Sequence, residues 1–172
     1  MLTLYFSNSP NANTFPTGTS TGSSSAPSSD SSNGFHQLLS NYSVAEASTV
    51  DSLYYDCPTL NSQTYETHFH QTFSLTCGID YTEGLAAADG GVISNIAAII
   101  AYSPEDCFEA CSNVNHLASV WNTGVSCESV TWTYDMKNAT NKLGGNCWLK
   151  NSTLASGASA SADKFAVTGV LD

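Results

Sequence analysis

The sequence predicts an α+β domain in which a single helix packs on a curled antiparallel β-sheet, stapled by disulfides and preceded by a disordered Ser/Thr-rich region. Three observations predict it. All six cysteines (Cys57, Cys77, Cys107, Cys111, Cys127 and Cys147) fall in the C-terminal two-thirds of the 172 residues. Several short segments alternate apolar and polar side chains with the period of half-buried strands. One segment, opening at Ser103-Pro104-Glu105-Asp106, carries a helix start: a hydroxyl N-cap, Pro at the first helical position and acids in the first turn.

Composition sets residues 1–34 apart. Between Ser7 and Asn33, 27 positions hold 14 Ser/Thr, 4 Asn, 3 Pro and 2 Gly, with Phe15 as the only large apolar side chain. Such a segment cannot bury enough surface to offset the entropy of ordering it, so 1–34 is expected to be a disordered linker or stalk. Its Ser/Thr/Pro bias suits an O-glycosylated stalk and a bare linker equally. Residues 35–56 are expected to form a partly ordered connection, and 57–172 the domain. Met1-Leu2-Thr3-Leu4-Tyr5-Phe6 is apolar but lacks the basic start and the ~7–15-residue apolar run of a signal peptide. The expectation is a fragment or an earlier start that supplies the export signal, unless export takes another route.

Within the domain, residues 64–77 (TYETHFHQTFSLTC) give the clearest strand pattern. Tyr65, Phe69, Phe73, Leu75 and Cys77 share one parity, and Glu66, His68, His70, Thr72, Ser74 and Thr76 share the other. The segment is long for one strand and its polar midpoint is His68 to Gln71, so a hairpin turning there is expected. Gly78 to Tyr81 is a turn into a loop around Glu83 to Gly91. Ile96 to Tyr102 reads as a buried strand feeding the helix, which spans Pro104 to about Asn115. Val130 to Tyr134 alternates again, with Val130, Trp132 and Tyr134 on one side. Cys147-Trp148-Leu149-Lys150 is its expected partner across a polar surface loop, Lys137 to Asn146. Phe165 to Leu171 closes the sheet after a small-residue loop at 155–162 (ASGASASA). A helix layered on such a sheet is an α+β architecture.

An even number of cysteines confined to the compact part predicts three disulfides, whose connectivity the sequence leaves open. Cys107 and Cys111, at i and i+4, share one helical face aimed at the sheet, so the helix is expected to be stapled to it twice. Cys57 and Cys77 lie on neighbouring segments around the hairpin. Zinc is the competing reading, but only Cys107-x3-Cys111 has ligand spacing; Cys127 and Cys147 stand 20 residues apart on different expected strands. C-x3-C is also not the C-x-x-C of a thiol oxidoreductase.

Charge excludes whole classes of partner. Four Lys, no Arg and 15 Asp+Glu give a formal charge of −11, so no basic patch forms and nucleic acid is excluded. Charged residues are 11% of the chain, and 26 Ser with 18 Thr keep it soluble, a habit of secreted proteins. The longest apolar run, Val92 to Tyr102, is about half the ~20 residues of a bilayer span, so no direct membrane insertion is expected. Asn41-Tyr42-Ser43, Asn138-Ala139-Thr140 and Asn151-Ser152-Thr153 are N-glycosylation sequons, Asn138 being the best placed because it falls in the polar loop.

Candidate chemistry is sparse. His36 and His116 stand alone, and His68-x-His70 would point two imidazoles alike but lacks a third metal ligand, so solvated histidine is the better account. Asp80, Glu83, Asp89, Glu105, Asp106, Glu109 and Glu128 cluster around the turn and helix without a calcium-loop pattern and read as a solvated acidic face. No nucleophile motif appears, and no catalytic residue, metal or cofactor is expected. Trp121, in a polar insertion, and Trp148, with parity opposite to the inward Cys147 and Leu149, are the candidate ligand-contacting aromatics, since exposed Trp stacks on sugars or anchors protein partners. Packing beneath a loop is the plain alternative for each. Trp132 reads as core.

Tyr54-Tyr55-Asp56-Cys57-Pro58, the hairpin with TFSLTCGIDY at 72–81, SPEDCFEAC at 103–111, CESVTW at 127–132, GNCWLK at 145–150 and the final loop and strand occur in fixed order. Together they resemble the PAN/Apple-like domain of secreted and cell-surface proteins of filamentous fungi, over about Cys57 to Leu171. The resemblance implies a helix cradled by a curved sheet, with Cys107 paired to Cys147, Cys111 to Cys127 and Cys57 to Cys77. Each bridge would contribute ~2–4 kcal/mol, mostly by restricting the unfolded chain. The chain departs from simpler members in a longer insertion at 112–126 and in the stretch 86–96. What the resemblance implies for function is a monomeric, non-catalytic extracellular recognition module binding glycan or extracellular protein at the cell wall or cell surface. The alternative is a structural cell-wall glycoprotein without a specific ligand, and a distant one is an enzyme with an unrecognised site.

Overall fold

The computed structural model describes residues 46–172; the expected stalk at 1–34, the first part of the 35–56 connection, His36 and the Asn41 sequon lie outside them. The described chain forms a 3-10 turn (Ala47–Thr49), α1 (Cys57–Leu60), β1 (Thr64–Glu66), β2 (Thr72–Asp80), β3 (Asn95–Ile99), α2 (Pro104–Trp121), β4 (Ser129–Thr133), α3 (Met136–Leu143), β5 (Cys147–Lys150) and β6 (Ser161–Leu171). The strands make one sheet of order β1-β2-β6-β4-β5-β3. Every neighbouring pair is antiparallel.

The hairpin turns at 67–71. Thr67 N–H donates to Gln71 O, and His70 takes a left-handed φ of 57°. The buried Thr67 hydroxyl lies 2.9 Å from that of Ser112 on α2. Glu109 of α2 accepts from Tyr65 Oη (3.1 Å) and from His68 N–H (2.9 Å), so the helix holds both the strand and the turn of the hairpin. Past Cys77 the register shifts, and Gly78 stands there at φ 78°, a conformation an L side chain resists. Such a bulge bends its strand.

The core lies between α2 and one face of the sheet. Phe73, Leu75, Val130, Trp132, Leu149 and Val167 pack against Phe108, Cys107 and Cys111. The Phe108 ring stacks on Phe73 at 5.4 Å. Gly169 of β6 is what allows that ring so close to the sheet: a Cβ there would stand 2.5 Å from Phe108 Cε1 and 3.3 Å from Val130 Cγ2. Gly169→Ala is therefore expected to cost ~1–3 kcal/mol, the usual range for overpacking a core. Urea denaturation reads it; an unchanged midpoint would mean the ring moves aside freely.

Three disulfides close the framework: Cys57–Cys77, Cys107–Cys147 and Cys111–Cys127, the same pairs that the resemblance implies. The two α2 cysteines reach β5 and the approach to β4, which are adjacent strands. Residues 46–56 pack along the domain, with Leu53 N–H donating to Tyr134 O and the Tyr55 ring edge-on to Trp132 at 5.2 Å. The Tyr55 hydroxyl is buried without a hydrogen-bond partner among the described residues. That burial, with the charge of Glu105, pushes its pKa up to about 12.

The structure corrects three expectations. The helix starts as the caps indicate, Ser103 Oγ accepting from Asp106 N–H at 3.1 Å, but it runs past Asn115 to Trp121. Val114, Leu117, Ala118 and Trp121 continue its apolar spacing through polar neighbours. Asn122, at φ 52°, ends it by donating its N–H to Ala118 O. The sequence predicts a loop over Lys137 to Asn146, where the structure has α3, so the sheet carries a second substantial helix. Met136 and Ala139 (i, i+3) are its buried face, and Gly144 at φ 75° is its C-terminal stop.

The expected buried strand at Ile96 to Tyr102 is instead the edge strand β3, paired among the described residues with β5 alone, and Ala98, Ile100 and Tyr102 are exposed. The alternation at 130–134 puts Val130, Trp132 and Tyr134 on one side, and all five residues of β4 (Ser129–Thr133) are buried. The hydroxyls find partners on the second face. Ser129 Oγ donates to Ser152 O (2.7 Å), Thr168 Oγ1 donates to Ile79 O (2.7 Å), and the Thr131 and Thr168 hydroxyls meet at 3.3 Å.

Candidate functional site

Because strand side chains alternate, Cys147 and Leu149 facing α2 send Trp148 and Lys150 to the other face of the sheet. Register completes that face. Thr76, Thr168, Thr131 and Trp148 align across β2, β6, β4 and β5. In the next row Val170, Ser129 and Lys150 align, with Asn95 of β3 opposite Lys150. The result is a sheet face of hydroxyls, one amide, one ammonium, one indole and Val170, in which Ser129, Thr131, Thr168 and Lys150 are buried.

Trp148 is half-buried and walls two clefts of about 230 and 260 Å³, which share Leu143 and Asp163. The first cleft is bounded by Asp135, Asn138 and Lys142 of the α3 region and by Phe165. Thr131 and Lys150 line the second, together with Asp80, Thr82, Glu83 and Asn95.

Lys150 is 2% exposed, an unusual place for a cation. Its Nζ donates to Asn95 Oδ1 at 3.0 Å, and Asp80 Oδ1 stands 3.7 Å away, beyond hydrogen-bond distance. Burial holds the ammonium pKa below the usual lysine value, against the opposing pull of the Asp80 and Glu83 charges. Asn95 Nδ2 donates to Glu83 Oε2 (3.2 Å), so one amide links the cation to a second carboxylate. Thr82 Oγ1 donates to Asp80 Oδ2 at 3.0 Å and fixes that carboxylate. Asp80 Oδ1 is buried and has no hydrogen-bond partner among the described residues. The arrangement presents fixed donors and acceptors beside an aromatic wall, which is the equipment for holding a polyhydroxylated ligand.

The structure does not bring the two candidate tryptophans together. Trp121 is the last residue of α2, 67% exposed, on the helix side of the sheet. Asn138 is exposed and borders the first cleft, its Nδ2 donating to both Asp135 carboxylate oxygens (2.9 and 2.8 Å). Asn151 is tied down, Oδ1 accepting from Ser94 N–H at 2.7 Å and Nδ2 donating to Val92 O at 3.4 Å. The histidines part company: His70 Nδ1 lies 2.7 Å from Glu66 Oε1, while His68 meets Phe69 edge-on and His116 stacks on the same ring at 4.0 Å. The expected solvated acidic face breaks up likewise, since Asp80 and Glu83 enter the second cleft and Glu109 holds the hairpin.

Sequence reasoning missed Lys150, Asp80 and Asn95 as a group. Parity was the available signal for Lys150, which must share the face of Trp148; nothing local brings Asp80 of β2 or Asn95 of β3 beside it. Among the described residues no group of three or more His, Cys, Asp and Glu is placed to hold a metal ion. No described helix is long and apolar enough to cross a membrane. No protein-family model, curated protein or solved structure matches the chain.

Proposed function

We propose that the chain is a non-catalytic extracellular recognition module of the PAN/Apple-like kind that binds glycan in the clefts around Trp148. The observation that supports this reading is the setting of Trp148, a partly exposed indole between two clefts that also carry hydroxyl, amide, carboxylate and ammonium groups beside Leu143. The C–H face of a pyranose stacks on an indole, while its hydroxyls, each donor and acceptor, pair with such polar groups. Two clefts sharing one Trp suit a ligand of more than one sugar unit. Three disulfides in a small domain fit an oxidising, extracellular setting.

The oxidised full chain is expected to bind on a glycan array, and Trp148→Ala to weaken that binding about tenfold or more, as loss of a central aromatic contact does. Trp121→Ala is expected to leave it unchanged, and melting temperature serves as the folding control for both. Array signal at background for the wild-type chain would overturn the reading in favour of a structural glycoprotein. Binding lost with Trp121→Ala but kept with Trp148→Ala would move the site to the end of α2.

A further inference from the structure

We propose that the Cys57–Cys77 bridge is a thiol-exchange site, at which a small thiol such as glutathione forms a mixed disulfide on Cys77 while the other two bridges stay closed. Nothing in this depends on glycan binding. Burial separates the bridges. Cys107, Cys111, Cys127 and Cys147 are all at 0% exposure, packed between α2 and the sheet. Cys57 is 6% exposed and Cys77 is partly exposed. Both line a cleft of about 530 Å³ together with Asn61, Gly78, Tyr134 and Lys164. Lys164 is the one charged side chain lining that cleft, and a cation there attracts the attacking thiolate.

Local structure makes this bridge the easiest to reach. Cys57 opens α1, a single turn closed by Leu60 N–H to Asp56 O (3.3 Å) and Asn61 N–H to Cys57 O (3.0 Å). Cys77 stands where β2 loses register with β6, and the Asn61 side chain holds its N–H at 2.9 Å. Releasing one helical turn bares this pair, whereas reaching either other bridge requires lifting the 18-residue α2 from the core. The exchange runs in two steps. A thiolate attacks Cys77 Sγ; the Sγ–Sγ bond breaks, and its electron pair leaves on Cys57 Sγ, which takes a proton from water. A second thiol then displaces Cys77 from the mixed disulfide, so two small thiols are oxidised to one disulfide as Cys57 and Cys77 are reduced. Cys107–Cys147 and Cys111–Cys127 hold α2 in place throughout.

The test incubates the oxidised full chain with excess reduced glutathione, blocks newly formed thiols with iodoacetamide at successive times and assigns them by peptide mass spectrometry. Cys57 and Cys77 are expected to react about tenfold or more faster than the other four cysteines, the first trapped species carrying alkylated Cys57 and a glutathione adduct on Cys77. Near-ultraviolet circular dichroism is expected to keep the aromatic signal of the folded domain at that stage, and added glutathione disulfide to restore the bridge. Equal rates at all three bridges would mean that global unfolding governs reduction, and would overturn the inference. Earlier opening of either α2 bridge, or resistance of all six cysteines, would do the same. An adduct confined to Cys57 would refute the choice of sulfur, and collapse of the aromatic signal as the first bridge opens would show that exchange there is not compatible with the folded frame.

Discussion

Replacing Cys107 and Cys147 together by Ala is expected to remove about 4 kcal/mol from the free energy of unfolding. The bridge spans a sequence separation of 40, the longest of the three, and the entropy taken from the unfolded chain grows with that length. Both sulfurs are fully buried, so their loss also leaves core volume unfilled. Domains of this size are stable by only ~5–15 kcal/mol, and the double variant should unfold well below the wild type in urea. The corresponding pairs at Cys111/Cys127 and Cys57/Cys77, with separations of 16 and 20, are expected to cost nearer 3 kcal/mol each. A Cys57/Cys77 variant less stable than the Cys107/Cys147 one would show that native-state packing, and not loop length, sets the order.

Asn146→Ala is expected to be the most damaging single substitution of a side chain outside the disulfides, at ~3–5 kcal/mol. Asn146 is fully buried between the end of α3 and β5. Its Nδ2 donates to Ala101 O (2.8 Å) and Thr133 O (3.1 Å), and its Oδ1 accepts from Ala101 N–H (2.8 Å). Truncation would leave Ala101 N–H and Thr133 O without those partners inside the protein, while Ala101 O keeps the Trp132 Nε1 donor at 2.9 Å. Each orphaned buried group costs ~1–3 kcal/mol, and the lost volume adds to it. Asn146→Asp separates the hydrogen bonds from the packing. The new carboxylate would face two carbonyls, raising its folded-state pKa above the unfolded ~3.9, so the variant should regain stability as pH falls toward ~4. A pH-independent deficit in chemical denaturation would show that shape alone matters at this position.

Local signals made much of the fold legible. The alternation through 64–77 gives the hairpin, Ser103-Pro104 gives the start of α2, and the paired alternations at 130–134 and 147–150 give adjacent strands. What stayed hidden was hidden for physical reasons. In α3 the buried residues are Met136 and Ala139, and the remaining Lys, Asn and Thr, with an exposed Leu143, are those a surface loop also uses. The hydroxyls of Ser129 and Thr131 in β4 look solvent-facing until Ser152 and Thr168 arrive from distant segments to satisfy them. Parity alone puts Trp148 and Lys150 on one face, but a lysine at the end of a strand reads as exposed. Its burial depends on β2 and β3, which lie on opposite sides of it in the sheet order and far from it in the chain.

The three bridges all serve the helix side of the sheet, where their sulfurs join the core. The segments 81–94 and 151–160 contain no cysteine, and Thr82 and Glu83 in the first of them line the second cleft. They are joined by an Ala87–Leu154 bridge and anchored inward by Ala87 and Ile93. The cleft face and the covalent frame are thus separable parts of the fold. Substitutions at Thr82 or Glu83 therefore reshape the second cleft without touching any cysteine of the oxidised frame.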